Sequence, residues 1–119
     1  MTKKILVVDD QPGIRMLLTD ILEKEGYLVS TANTGQQALD AITAQSYDLI
    51  ILDYKLPIVD GSQVLQEMDT KAIHLPAIII SGLAEDITKE AENYSFVKKV
   101  LAKPFNVQDI SKAVSLAVE

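Results

Sequence analysis

A doubly wound α/β fold, a five-stranded parallel sheet with helices on both faces, is what this sequence predicts. Three observations predict it. Continuous apolar runs recur at Ile5–Val8, Leu49–Leu52 and Ala77–Ile80, as in strands covered on both sides. Stretches with apolar residues at helical spacing lie between them. The two patterns alternate through five βα units, and the 119 residues fit one domain.

The first strand is Ile5–Val8. In "GIRMLLTDILEKEG", 13–26, Ile14, Leu17, Leu18, Ile21 and Leu22 share one helical face. Leu18, Ile21 and Leu22 are read as core, Met16 turns away, and Gly26 is a C-terminal stop. "YLVSTA", 27–32, is a weaker second strand. Thr34 and Gln37 form a T-x-x-Q capping box before Ala38, Leu39 and Ile42. Leu49–Leu52 is the third strand, and Val64, Leu65 and Met68 mark the helix after it. Ala77–Ile80 is the fourth strand. Residues 84–94 read as a weakly amphipathic helix through Ile87, Ala91 and Tyr94. "VKKVLA", 97–102, is the fifth strand. Asn106 caps a last helix in which Ile110, Ala113, Val114 and Ala117 fall at i, i+3, i+4 and i+7.

Composition excludes several classes. Apolar residues make up 48% of the chain, too many for a disordered segment. There is no cysteine, hence no disulfide and no thiolate metal site. The apolar run after Lys3 and Lys4 is too short for a signal peptide, and no stretch approaches a membrane span. A cytoplasmic protein without a membrane partner is expected. The net charge is −6 and the lysines are scattered. No cationic stripe exists for nucleic acid, which needs one to displace counterions.

The chemistry gathers where the strands end. Ligands of doubly wound sheets bind beyond the carboxyl ends of the strands. Asp9 and Asp10 end strand 1, Asp53 ends strand 3, Ser81 ends strand 4 and Lys103 ends strand 5. Any one of these is an ordinary polar exit from a strand. All five on one edge form a converging set. Two carboxylates about 4 Å apart repel by about 4 kcal/mol at an effective dielectric near 20. One lysine does not compensate three of them. A divalent cation does, and an all-oxygen site with few protein donors suits Mg²⁺. A cation, a lysine and a hydroxyl aimed at one carboxylate form a phosphoryl-transfer arrangement, in which the carboxylate can be the nucleophile. Asp53, alone at the end of a rigid apolar strand, is the candidate.

These residues resemble the receiver domains of two-component response regulators. The resemblance spans essentially the whole chain. It rests on Asp9–Asp10, on "DYKLPIVDG" (53–61), on "SG" (81–82) and on "KPF" (103–105). It implies a flavodoxin-like receiver fold with strand order 2-1-3-4-5, the order of a chemotaxis member of the same family. It implies that Asp53 takes a phosphoryl group from a histidine kinase. Asp10 and Asp53 would bind Mg²⁺ with the backbone carbonyl of Lys55, and Asp9 would act through a metal-bound water. Ser81 and Lys103 would contact phosphoryl oxygens, and the Lys103–Pro104 peptide would be cis. "VDDQPGIRMLL" and Lys55 look like the single-domain receivers of sporulation-type phosphorelays, which pass the group on to a histidine phosphotransferase. Gln11, Gly13, Ile14 and Leu17 match the partner-binding start of the first helix there. Leu83, Pro104 and Phe105 would complete that surface.

The chain also departs from the family. Receivers often carry Tyr, Phe or His three residues before the lysine, where this chain has Val100. "FV", 96–97, replaces the usual small pair. The aromatic switch and the dimerising surface tied to it are therefore in doubt, and a monomer is expected. His74, the only histidine, reads as an ordinary loop residue, since no acid or base lies near it in sequence. Glu23, Glu25, Glu85, Asp86, Glu90 and Glu92 read as solvated helix faces.

Other functions fit less well. An aspartate-nucleophile phosphatase needs a second acid two residues on, where Lys55 stands. A flavodoxin-like FMN carrier needs a neutral or basic phosphate loop, where Asp9–Asp10 stand. No P-loop, GxGxxG or GxSxG occurs. A receiver cut from a DNA-binding regulator is the remaining alternative. The chain stops at Glu119 just after the last helix, so a single domain over 1–119 without an output domain is the expectation.

Overall fold

The computed structural model describes residues 2–82, 89–91 and 93–119. Its strands are β1 (Lys4–Val8), β2 (Leu28–Ala32), β3 (Leu49–Asp53), β4 (Ala77–Ser81) and β5 (Val97–Ala102). They form one sheet in the order β2-β1-β3-β4-β5, and every neighbouring pair is parallel. This is the expected α/β fold with the expected strand order. Helices α1 (Pro12–Lys24), α2 (Gly35–Ala44), α3 (Gly61–Thr70) and a C-terminal helix (Val107–Ala117) are described. Residues 89–91 are also helical. Most of the helix expected over 84–94, and Leu83, lie outside the described residues.

Alternation along the strands divides the core in two. Leu6, Val8, Ile50, Leu52, Ala77 and Ile79 face one way and pack on α2 and α3 through Ala38, Leu39, Ile42, Val64, Leu65 and Met68. Ile5, Val7, Leu49, Ile51, Ile78 and Ile80 face the other way. They meet Leu18 and Leu22 of α1 and Ile110, Ala113 and Val114 of the C-terminal helix. A strand buried on both faces has no polar position to spare, which is why β1, β3 and β4 read as unbroken apolar runs. The edge strand β2 is half-covered and leaves Leu28 exposed, so its pattern is weak.

Local signals set the helix ends. Pro12 opens α1 at a position where a missing N–H costs nothing. Gly26 follows α1 with φ +95°, a conformation that glycine adopts without strain. Two helix readings need correction. Ile21, expected in the core, is only half-buried, because α1 rests on the sheet along the line Leu18–Leu22; Leu17, expected on the partner-binding surface, is 44% exposed. The Thr34 hydroxyl does accept from Gln37 N at 3.0 Å, but the Gln37 side chain returns to Asn33 N, not to Thr34. The reciprocal box occurs instead at α3, between Asp60 and Gln63. Among the described residues no helix is long and apolar enough to cross a membrane.

Candidate active site

Sheet register brings the site together. Val8 lies beside Leu52, Leu52 beside Ile79, and Ser81 beside Ala102. One residue beyond these pairs come Asp9, Asp53 and Lys103. The ladder continues past the strands: Asp9 N donates to Ala32 O at 3.2 Å, Tyr54 N to Ile80 O at 2.9 Å and Lys103 N to Ser81 O at 2.9 Å. The backbone is thus fixed where the side chains turn toward one another.

Asp9, Asp53 and Ser81 are the buried polar side chains of the described core, at 1%, 5% and 3% exposure. The Lys103 ammonium donates to Asp53 Oδ2 at 3.0 Å and to Asp9 Oδ2 at 3.2 Å. Backbone N–H groups hold the other oxygens: Gln11 N donates to Asp9 Oδ1 at 2.9 Å, and Lys55 N to Asp53 Oδ1 at 3.3 Å. Asp10 is exposed at the rim. Even so, one oxygen from each of Asp9, Asp10 and Asp53 can be chosen so that all three lie within 4.8 Å of one another. The Lys103–Pro104 peptide is cis.

One ammonium facing two buried carboxylates leaves the pocket negative. The consequence is opposite for the two partners. Burial raises the Asp53 carboxyl above the usual carboxylate range; the Lys103 hydrogen bond opposes this and the Asp9 charge adds to it. Burial pulls the Lys103 ammonium down, but its bonds and attraction to Asp53, then Asp9, outweigh burial and raise it. The lysine is over-compensated and stays charged, while Asp53 ionises against a penalty. The donor set is all oxygen, half-enclosed and short of positive charge, which fits a hard divalent cation.

The remaining sequence candidates flank this pocket. Gln11, Gly13 and Pro104 are exposed, and Ile14 is half-buried. Ile14 and Phe105 pack on the rim of the same apolar cluster. His74 is exposed ahead of β4, far along the sheet from the acids. Sequence reasoning missed three participants. Arg15 donates to the Asp9 carbonyl at 2.8 Å. The Tyr54 hydroxyl is bonded to Glu90, and its ionisation is pushed up by burial and then by that carboxylate. Glu90 is therefore not merely a solvated face. Gly61 touches the acceptor backbone: a Cβ there would meet Tyr54 Cα at 2.6 Å and Asp53 O at 2.8 Å. Arg15 is the chain's single arginine and Gly61 closes the "DG" turn, so these two had a signal. Tyr54 had none.

Comparison with known proteins agrees with this geometry. The response regulator receiver domain family matches residues 5–115. Sporulation initiation phosphotransferase F of Bacillus subtilis is 40% identical over 115 residues, covering 96% of this chain and 92% of that protein. The alkaline phosphatase synthesis transcriptional regulatory protein PhoP of the same organism is 34% identical, but the chain spans only 48% of it. Among solved structures, the response regulator TrrA from Thermotoga maritima in complex with Mg(2+)-BeF superposes with a TM-score of 0.87. It is 32% identical, with 98% of this chain and 99% of that one covered.

Proposed function

We propose, from the premise that this chain belongs to the response regulator receiver domain family, that Asp53 is its phosphoryl acceptor in a histidine-to-aspartate relay. The observation that carries this is the bridge from Lys103 to Asp53 and Asp9 at 3.0 and 3.2 Å beside the exposed Asp10. In the transfer, an Asp53 carboxylate oxygen attacks the phosphorus of a phosphohistidine. The new P–O bond forms as the P–N bond breaks, and the electron pair returns to the imidazole nitrogen. Asp53 is ionised for attack because Lys103 and Lys55 N hold its charge. Lys103 stays protonated throughout and can follow the charge onto a phosphoryl oxygen. Ser81, at the end of β4, supplies a hydroxyl to another.

Asp10 and Asp53, with the Lys55 carbonyl, would hold Mg²⁺, and Asp9 would meet it through water. When bound, the ion neutralises phosphoryl oxygen charge. The Mg(2+)-BeF complex of the Thermotoga relative supports this cation.

The partner reading is a sporulation-type phosphorelay, supported by the 40% identity over nearly the full length of the Bacillus phosphotransferase. The donor is a histidine kinase and the acceptor a histidine phosphotransferase, both meeting the chain in the cytoplasm. Exposed Met16 and Leu17 line an open groove of about 850 Å³ along α1, with Pro12, Gly13, Val29 and Thr31. A partner helix laid against Ile14 and Leu17 would bring its phosphohistidine over Asp53. Both phosphoryl linkages are reactive, so transfer should run both ways. Ile14→Ala or Leu17→Ala should slow transfer from a kinase about tenfold or more, a loss of ~1.4 kcal/mol of docking energy, while labelling by acetyl phosphate stays near wild type. Equal loss with both donors would contradict the docking reading.

A further inference from the structure

The three acids are not held equally. Asp9 is tied by Gln11 N and Lys103, and Asp53 by Lys55 N and Lys103. Among the described residues no hydrogen bond or ion pair ties the Asp10 carboxylate. Its place in the cluster therefore depends on the backbone that carries it. The peptide unit joining Asp9 to Asp10 presents its carbonyl to Arg15, whose Nη1 donates to it at 2.8 Å. Arg15 is half-buried on the first turn of α1, where its own N–H donates to Gln11 O at 3.1 Å. The guanidinium thus closes a loop from α1 back onto the plane that aims Asp10.

We propose that Arg15 is a positioning residue of the cation site: it fixes the Asp9–Asp10 peptide plane and through it the Asp10 carboxylate. This rests on the metal-binding reading above and goes beyond it. A planar guanidinium on a packed stem suits the task better than a flexible ammonium. Groups that orient ligands from outside typically govern metal affinity by about 10–100-fold.

The proposal makes a prediction of sign. Arg15 is also a positive charge close to a cation site. If charge were its only effect there, removing it would tighten metal binding. If it positions Asp10, removing it weakens binding although a repulsive charge has gone.

The test is isothermal titration of the whole chain with Mg²⁺ alone, without phosphodonor. Wild type, Arg15→Met, Arg15→Lys and Asp10→Asn are compared, and thermal melting is recorded in EDTA. The proposal expects Arg15→Met to bind Mg²⁺ about tenfold more weakly with near wild-type melting in EDTA. It expects Arg15→Lys, which keeps a donor for the Asp9 carbonyl, to recover most of the affinity. Asp10→Asn should lose binding. Should Arg15→Met fail to fold, Arg15→Leu, which likewise removes both the donor and the charge, takes its place and must bind Mg²⁺ more weakly than wild type. Unchanged or tighter binding in Arg15→Met, with wild-type Mg²⁺ binding intact and Asp10→Asn impaired, overturns the positioning role and leaves the site reading standing. Absence of Mg²⁺ binding by the wild type overturns both.

Discussion

Asp53 ionises in a pocket where burial works against it, and this has a measurable consequence without metal. Its carboxyl is raised in the folded protein, so the fold binds that proton more tightly than the unfolded chain does. The favourable contribution of protonated Asp53 is complete below the ordinary carboxylate pKa and is lost as pH rises through the raised value. At neutral pH in EDTA, Asp53→Asn should therefore melt a few degrees higher than wild type. That advantage should fade as the solution is acidified toward pH about 4. Lys103 behaves with the same formal sign at the other end of the scale. Its raised value keeps it charged beyond its ordinary range, so its pairing is lost as pH rises through that raised value. Lys103→Met leaves two facing carboxylates unrelieved. Breaking such a pair costs about 3–5 kcal/mol when fully buried; with the lysine 22% exposed, about 2–3 kcal/mol is expected. The deficit should shrink in millimolar Mg²⁺. Asp53 was legible in the sequence because it ends an apolar strand, and Lys103 through the "KPF" motif that follows the weaker fifth strand. The unequal anchoring of the acids was not legible, since the Arg15 contact depends on how the first turn of α1 folds over the Asp9 carbonyl.

At the scale of elements, the loop after β3 is the most constrained part of the site. Gly61 begins α3 against the backbone of Asp53 and Tyr54. Gly61→Ala would drive a methyl into main chain that cannot yield without moving the acceptor. A loss of about 2–4 kcal/mol and weakened Mg²⁺ binding are expected, checked by urea unfolding and titration. Ile58, in the same loop, is 98% exposed with φ +66°. A β-branched side chain pays for that conformation and gains no burial. Ile58→Gly should accordingly stabilise the fold by roughly 0.5–1 kcal/mol, where glycine usually destabilises. The strand runs and the apolar spacing of the helices were readable because burial on two faces or on one stripe leaves a periodic trace. The position of the reciprocal cap was not. Thr34 and Asp60 both precede a Gln at the right spacing, and only the approach of the chain decides which box closes. Ile21 misled for a related reason: helical spacing defines a face, but the seating of α1 on the sheet along Leu18 and Leu22 decides which flank is covered.

For the molecule as a whole, the strand order was what the family resemblance implied, and the converging strand ends followed from the alternation of strand and helix patterns. What the sequence left open was how a modified site is read. Val100 only partly packs on the cluster beneath β4 and β5, and it has no ring to swing between two positions. Amplifying a local charge change needs such a two-state element. The Tyr54 hydroxyl is bonded to Glu90. Phosphorylation is therefore expected to produce no new dimers, with partners reading the site directly, and light scattering before and after acetyl phosphate treatment checks this. Stoichiometric dimers would favour a regulator whose output lies elsewhere. The central claim is more direct still: one phosphoryl group, on one carboxylate, at the end of β3. Intact-mass measurement after incubation with acetyl phosphate and Mg²⁺ tests it. Wild type should gain the mass of a single phosphoryl group, absent when EDTA is added before the phosphodonor, while folded Asp53→Asn gains none. Undiminished phosphorylation of Asp53→Asn would contradict the account.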